Sequence, residues 1–204
     1  MFRRERLDGC GIIDDLWHMS EEPVVLTDGV VTLRAFRPED APAVLAACQD
    51  AEIARFVPIP QPYTEEVARS FVSRRRADWN TDVERSFAIT DAATGPFLGA
   101  IARHQRAEHR AEFGYWLAPW ARGRGSATRA LRLVADWSLN TTELIRLELF
   151  THPENASSGR VAERAGFVRE GVRQAWDLDR DGSPYEAVFY VLIRLVGRQR
   201  TIYV

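Results

Sequence analysis

The sequence predicts one α+β domain: a mixed, mostly antiparallel central sheet of about seven strands with helices on both faces. Three observations carry this. Strand-like runs are joined by short turn signals, at Asp28-Gly29, Asp91 to Gly95 and Asp179 to Gly182, which is hairpin connectivity rather than the connectivity of a doubly wound parallel sheet. Apolar stripes at helical spacing stand among these runs, giving the order β-α-α-β-β-β-α-β-α-β-β. The 204 residues are 46% hydrophobic and 27% charged, an ordinary balance for one globular core and a poor one for a disordered chain. A domain of this size can bury roughly 70% of the surface its unfolded chain exposes, so it needs neither disulfide nor metal to fold.

Val30 to Phe36 is a β-branched run after the first turn and reads as a strand. Arg37-Pro-Glu-Asp40 opens a helix, because Pro and acidic residues belong in a first turn; Val44, Leu45 and Cys48 follow at helical spacing. Tyr63-Thr-Glu-Glu66 opens another, with Thr64 as N-cap and Val67, Phe71 and Val72 on one face. Ser86 to Thr90 and Phe97 to His104 are the strands of a hairpin, and Glu112 to Leu117 is the next strand. Ser126 to Leu139 is helical, with Ala130, Leu131, Val134 and Trp137 along its stripe. Arg146 to Phe150 is a strand, followed by a helix from Ser157 to Ala165 that Gly166 stops. Val168 to Leu178 and Glu186 to Leu195 close the domain as two strands. Residues 23–204 form the domain. Residues 1–22 lack periodicity and are expected to be a flexible or loosely docked extension, in which Ile12, Ile13, Leu16 and Trp17 could make a short apolar helix face.

Composition narrows the function. A net charge of -2 lacks the basic footprint of bulk nucleic-acid binding. Cys10 and Cys48 are far apart, and His18, His104, His109 and His152 have no metal-ligand spacing, so neither a disulfide framework nor a metal site is expected. No run of about 18 apolar residues is present, and Arg3, Arg4 and Arg6 precede no apolar signal core. The expectation is a cytoplasmic protein without membrane partners. All 27 basic residues are arginine and none is lysine, so a phosphate contact here is made by guanidinium or backbone N–H.

The segment that points to chemistry is Tyr115-Trp-Leu-Ala-Pro-Trp-Ala-Arg-Gly-Arg-Gly-Ser-Ala-Thr128. A strand runs into a Gly-rich turn and then into a helix. Glycine permits close backbone approach, and the first N–H groups of a helix lack internal partners, which together suit a phosphate or pyrophosphate. It is neither a Walker A loop nor the GxGxxG fingerprint, since lysine is absent and Thr128 stands at the third glycine position. On these residues alone, an ordinary tight strand-to-helix turn fits as well.

Arg122-x-x-Gly125-x-Ala127 resembles the R/Q-x-x-G-x-G/A signature of the GNAT superfamily of N-acetyltransferases. The wider patterns are similar to its RimJ/RimL-like branch: Gly114-Tyr-Trp-Leu-x-Pro-x-x-Arg-Gly-x-Gly125, Asn155-Ala-Ser-Ser158 with Glu163-Arg-Ala-Gly-Phe167, Arg34-x-Phe-Arg-Pro-Glu-Asp40, and Tyr63-Thr-Glu-Glu66. The resemblance spans Val24 to Leu195 and implies a GNAT-type fold and direct acetyl transfer from acetyl-CoA to a primary amine. It implies two splayed strands, Glu112 to Leu117 and Arg146 to Phe150, with the pantetheine arm between them. Backbone groups of Leu117 and Ala118 would pair with that arm, and Arg122, Gly123, Arg124, Gly125, Ser126 and Ala127 would hold the pyrophosphate. Asn155 would contact the pantetheine and Ser158 would act as acid to the leaving thiolate, although both also suit helix capping. No tyrosine occurs from Val161 to Phe167 to compete with Ser158, and Tyr185 and Tyr190 are its substitutes. Glu112 is the candidate base and Glu148 its rival; strand alternation leaves open which faces the groove.

The acceptor is expected to be the N-terminal amine of a protein, with a small amine (polyamine, amino acid or antibiotic) or a non-catalytic CoA-sensing module as alternatives. An α-amino group, with pKa about 7.7–8.0, needs less help to lose its proton than a lysine near 10.4. The substrate-side loops are expected at Glu52 to Tyr63 and Asp179 to Tyr185, and a homodimer is plausible from the resemblance and the extension.

Overall fold

The computed structural model describes residues 24–77, 79 and 84–194. The expected extension at residues 1–22 lies outside the described residues. The strands are β1 (Leu26–Thr27), β2 (Val31–Arg34), β3 (Glu84–Asp91), β4 (Phe97–Ala107), β5 (Arg110–Leu117), β6 (Arg146–Thr151), β7 (Val168–Leu178) and β8 (Pro184–Ile193). The helices are α1 (Ala41–Ala47), α2 (Ala51–Phe56), α3 (Glu65–Ala77), α4 (Ser126–Thr141) and α5 (Ala156–Arg164). One sheet carries all eight strands in the order β1-β2-β3-β4-β5-β6-β8-β7. The count exceeds the expected seven because the chain before the Asp28-Gly29 turn pairs as the two-residue edge strand β1.

Every neighbouring pair is antiparallel except β5 with β6, which α4 joins as a crossover. Strand alternation separates the two faces. Tyr115 meets α5 through Ser158, and Phe87 and Arg103 pack on Trp137 of α4. On the opposite face Glu84 meets Arg75 of α3, in a row with its cross-strand partners His104 and Glu112. The helices therefore cover both faces, α4 and α5 on one and the α1–α3 layer on the other.

A buried ion pair explains the spacing of the first motif. Arg34 donates two hydrogen bonds to Asp40, both 2.8 Å, and Asp40 also accepts the Arg37 N–H. Asp40 is 5% exposed, so these bonds replace its hydration and tie the 3-10 turn at Pro38–Asp40 to β2. α2 was not foreseen: its six residues stand where a loop was expected. Asp50 is its N-cap and accepts the N–H groups of Glu52 and Ile53.

β7 is the far edge strand, and its register against β8 slips between Arg173 and Asp177. At this irregularity Ala175 sits at φ 47°, in the left-handed region. Trp176 follows it and packs on Phe150 and Phe189, while the Arg173 guanidinium lies 3.9 Å from the Phe189 ring centroid. Ala175→Gly relieves the left-handed cost and adds the entropy of glycine in the unfolded chain, so stability is expected to rise by up to about 1 kcal/mol. Denaturant unfolding checks this, and a clear loss of stability counts against strain at Ala175.

Candidate active site at the divergence of two strands

β5 and β6 pair at only three positions, Arg110 with Arg146, Ala111 with Leu147, and Glu112 with Glu148. Beyond Glu112, β5 stays with β4 as far as Gly99 opposite Leu117, and β6 stays with β8 as far as Thr151 opposite Val188. A wedge therefore opens through the sheet. The Ala118 N–H donates to the Leu98 carbonyl at 2.9 Å. By antiparallel alternation, the backbone groups of Leu117 and Tyr115 turn the other way, into the wedge. Leu117 thus presents a strand edge there, whereas the Ala118 N–H is already engaged.

The Gly-rich turn follows directly. Gly123 and Gly125 both stand at φ 76°, which side chains disfavour. Gly125 is the N-cap of α4 and gives the helix no side-chain cap, so the first N–H groups of this sixteen-residue helix depend on a ligand or water. Arg122 does not aim its fork freely at that end. It donates to Asp50 at 2.6 and 3.3 Å and lies 2.9 Å from Glu52, so it ties α2 to the turn. The Arg122 hydrogen bond is the main reason the Asp50 carboxyl lies below its usual range. Arg124 is exposed, and its charge acts on Asp91.

Across the wedge, Asn155 caps α5. Its side-chain oxygen accepts the Ser158 N–H at 3.1 Å and the Ser157 hydroxyl at 2.7 Å. Ser158 Oγ lies 2.8 Å from the Tyr115 hydroxyl, which also donates to the Ser158 carbonyl at 3.1 Å. Burial, partly offset by the Ser158 hydrogen bond, pushes the Tyr115 phenol up to about 12, so it stays protonated beside Ser158.

Two cavities meet here. The smaller, about 230 Å³, is lined by α2, the end of β5, the Gly-rich turn and the start of α5. The larger, about 840 Å³, extends over the α3 face of the sheet to the β7–β8 hairpin. Phe56, Val57, Tyr115, Trp116, Asn155 and Ser158 line both. Arg180 of the hairpin closes one side by donating to the carbonyls of Ala54, Val57 and Ile59, and Arg55 pairs with Glu154 beside it.

The carboxylates separate clearly. Glu112 lines the larger cavity and accepts from Arg106 at 2.9 Å. Glu148 is 3% exposed, is held by Arg146 and Arg110, and lines neither cavity. Glu84 lies 3.3 Å from His104 Nδ1, accepts the Ser86 hydroxyl at 2.5 Å and pairs with Arg75. Burial pushes the Glu84 carboxyl up, but these partners outweigh it and hold it at about 2.

Of the residues expected from the sequence, Leu117, Arg122, Gly123, Ala127, Asn155 and Ser158 line the smaller cavity together. Ala118, Arg124, Gly125 and Ser126 belong to the same turn but do not line it, and Glu112 lines the larger cavity. Sequence reading gave Tyr115 no role of its own, because its partner Ser158 lies forty-three residues on. It also missed α2, although Asp50 before Ala-Glu-Ile-Ala-Arg is a legible cap. Among the described residues no group of His, Cys, Asp and Glu could hold a metal, and no helix is long and apolar enough to cross a membrane.

Residues 31–168 match the family described as acetyltransferase (GNAT) domain. The uncharacterized N-acetyltransferase YoaA of Bacillus subtilis is 25% identical over 174 residues, 84% of this chain and 97% of that protein. The spermidine N(1)-acetyltransferase of Escherichia coli K12 is 27% identical over 141 residues, 69% of this chain and 74% of its own. RimJ of Mycobacterium smegmatis, solved in complex with CoA-disulfide, superposes with a TM-score of 0.73 at 26% identity, covering 88% of this chain and 89% of that one.

The low-lying Glu84 carboxyl gives a test of the geometry. A group depressed in the folded state stabilises above its unfolded value, here 4.5, and that stability is lost as pH falls towards about 2. Glu84→Gln is expected to flatten the acid limb of the stability–pH curve between those values. An unchanged limb contradicts the Glu84–His104–Arg75 arrangement.

Proposed function

Because the chain belongs to the GNAT acetyltransferase family and is an acetyl-CoA-dependent N-acetyltransferase, we propose that its acceptor is the N-terminal amine of a protein or peptide. The observation that carries this reading is the charge balance of the larger cavity. Its lining holds four carboxylates, Glu84, Glu112, Asp177 and Asp179, against four guanidiniums, Arg55, Arg74, Arg75 and Arg180. A polyamine site needs uncompensated negative charge, whereas here Glu84 and Glu112 already meet arginines. A volume of about 840 Å³ with aromatic walls and balanced charge suits the first residues of a peptide.

The smaller cavity fits the co-substrate. The uncapped N-terminus of α4 suits its pyrophosphate, and the Leu117 edge suits its amide-bearing arm, a strand-edge pairing. The wedge lets the two substrates approach from opposite faces of the sheet, which supplies proximity. The Leu117 N–H polarises the thioester oxygen. Ser158, resupplied by Tyr115, gives the proton that the departing sulfur takes. Glu112, fixed by Arg106, attracts the incoming ammonium and orders water beside it. The cytoplasmic setting and a homodimer belong to this proposal as expectations.

The test is thiol release from acetyl-CoA with peptides bearing free or blocked N-termini, and with spermidine. Free N-termini are expected to be acetylated and blocked ones not; faster turnover of spermidine sinks the peptide reading. Gly125→Asp adds a left-handed strain and a negative side chain at the pyrophosphate end. It is expected to weaken acetyl-CoA binding at least tenfold in calorimetric titration while circular dichroism stays native, and unchanged affinity would remove the turn from the cofactor site.

A further inference from the structure

We propose that His104, oriented by Glu84, takes the proton from the acceptor amine. The proposal rests on the amine-acetylation reading above and names a residue that reading leaves out.

Glu84, His104 and Glu112 stand directly opposite one another on β3, β4 and β5, so their side chains share one face in one row. All three line the larger cavity. Nδ1 of His104 lies 3.3 Å from Glu84 Oε2. A carboxylate at that position favours the N–H on Nδ1 and leaves the lone pair on Nε2. Nε2 reaches over Gly114, 4.0 Å from where a side chain would begin, so the absence of a side chain keeps its approach open. Glu84 is in turn fixed by Ser86 and Arg75, the usual arrangement of a base held by a third group.

The other candidates are committed elsewhere. Glu112 accepts from Arg106, which makes it a counter-charge more than a base. His152 accepts the Glu154 N–H at Nδ1, and its Nε2 faces Asp179 at 3.7 Å. Glu84 from β3 and Glu112 from β5 are the cross-strand neighbours of His104; Arg75 of α3 pairs with the first, Arg106 of its own strand with the second, and Arg74 of α3 lines the same cavity.

Leu117 lies three positions beyond Gly114, roughly 10 Å of strand at about 3.3 Å per residue. The amine, with one bridging water, fills that distance. The ammonium gives one proton to Nε2. The neutral amine forms the C–N bond as the C–S bond breaks. The sulfur gains a proton from Ser158, the second N–H proton leaves through water that restores the Ser158 hydroxyl by way of Tyr115, and His104 returns its proton to solvent. Overall, thioester and ammonium give amide, thiol and one proton.

The test compares wild type, His104→Asn and Glu84→Gln, using acetyl-CoA with a peptide beginning in serine, or spermidine if that peptide is not turned over. His104→Asn is expected to lower kcat/KM about 100-fold at pH 7. The deficit should shrink several-fold by pH 9, where the peptide amine loses its proton unaided. Glu84→Gln should show a smaller deficit, about tenfold, with the same pH trend, and acetyl-CoA affinity should stay unchanged in both. A deficit equal at pH 7 and pH 9, an unchanged rate, or lost acetyl-CoA binding overturns the proposal. Imidazole nitrogen NMR of the wild-type protein is the second arm and needs no acceptor. A bare Nε2 at pH 8, lost in Glu84→Gln, is expected, and the opposite tautomer overturns the assignment. Failure of every amine in the wild type would instead defeat the acetylation reading, with the tautomer still deciding the fate of His104.

Discussion

The parallel pairing of β5 with β6 ends at Glu112 and Glu148, while β5 remains bound to β4 and β6 to β8 along most of their lengths. Each strand has more to lose by leaving its antiparallel neighbour than by leaving its parallel one, so normal sheet twist is relieved at that seam. The result is a gap lined by backbone groups that the fold does not satisfy. Elsewhere in a core such groups would be costly. Here they form an edge inside the sheet, the edge that the proposed co-substrate arm would complete.

The surroundings of the gap are built to hold that edge open. α4 leaves from one side and α5 starts on the other, and the Tyr115–Ser158 contact bridges them. α2 roofs the gap with little apolar support, since Ile53 is its only buried residue. Polar ties hold it instead: Asp50 and Glu52 to Arg122, Arg55 to Glu154, and the carbonyls at its end to Arg180. The roof therefore depends on the Gly-rich turn, the β6–α5 loop and the β7–β8 hairpin at once, which are segments that line the two cavities.

The parts of this architecture legible in the sequence were those with local signatures. Gly123 and Gly125 announce left-handed backbone, Gly166 a helix stop, and the turns at Asp28 and Asp179 their hairpins. Asn155 and Ser158 could be placed at a helix start because a cap needs only neighbours three residues away. The site residues that escaped are defined by partners distant in the chain. Tyr115 meets Ser158 forty-three residues on; Arg122 itself was foreseen, but not its turn towards Asp50 seventy-two residues back. His104 and Glu84 meet only because β3 and β4 fall into one particular register, which alternation alone does not fix. The choice between Glu112 and Glu148 needed the same information.

Every ion pair bordering the two cavities draws its permanent positive charge from arginine, and the chain has no lysine at all. A guanidinium stays protonated and is a poor nucleophile towards a thioester. An enzyme that concentrates an activated acyl group at its surface is thereby furnished with positive charge that cannot intercept it. No side chain offers an amine for self-modification, and the positive charges that shape the site are not silenced by the reagent it handles.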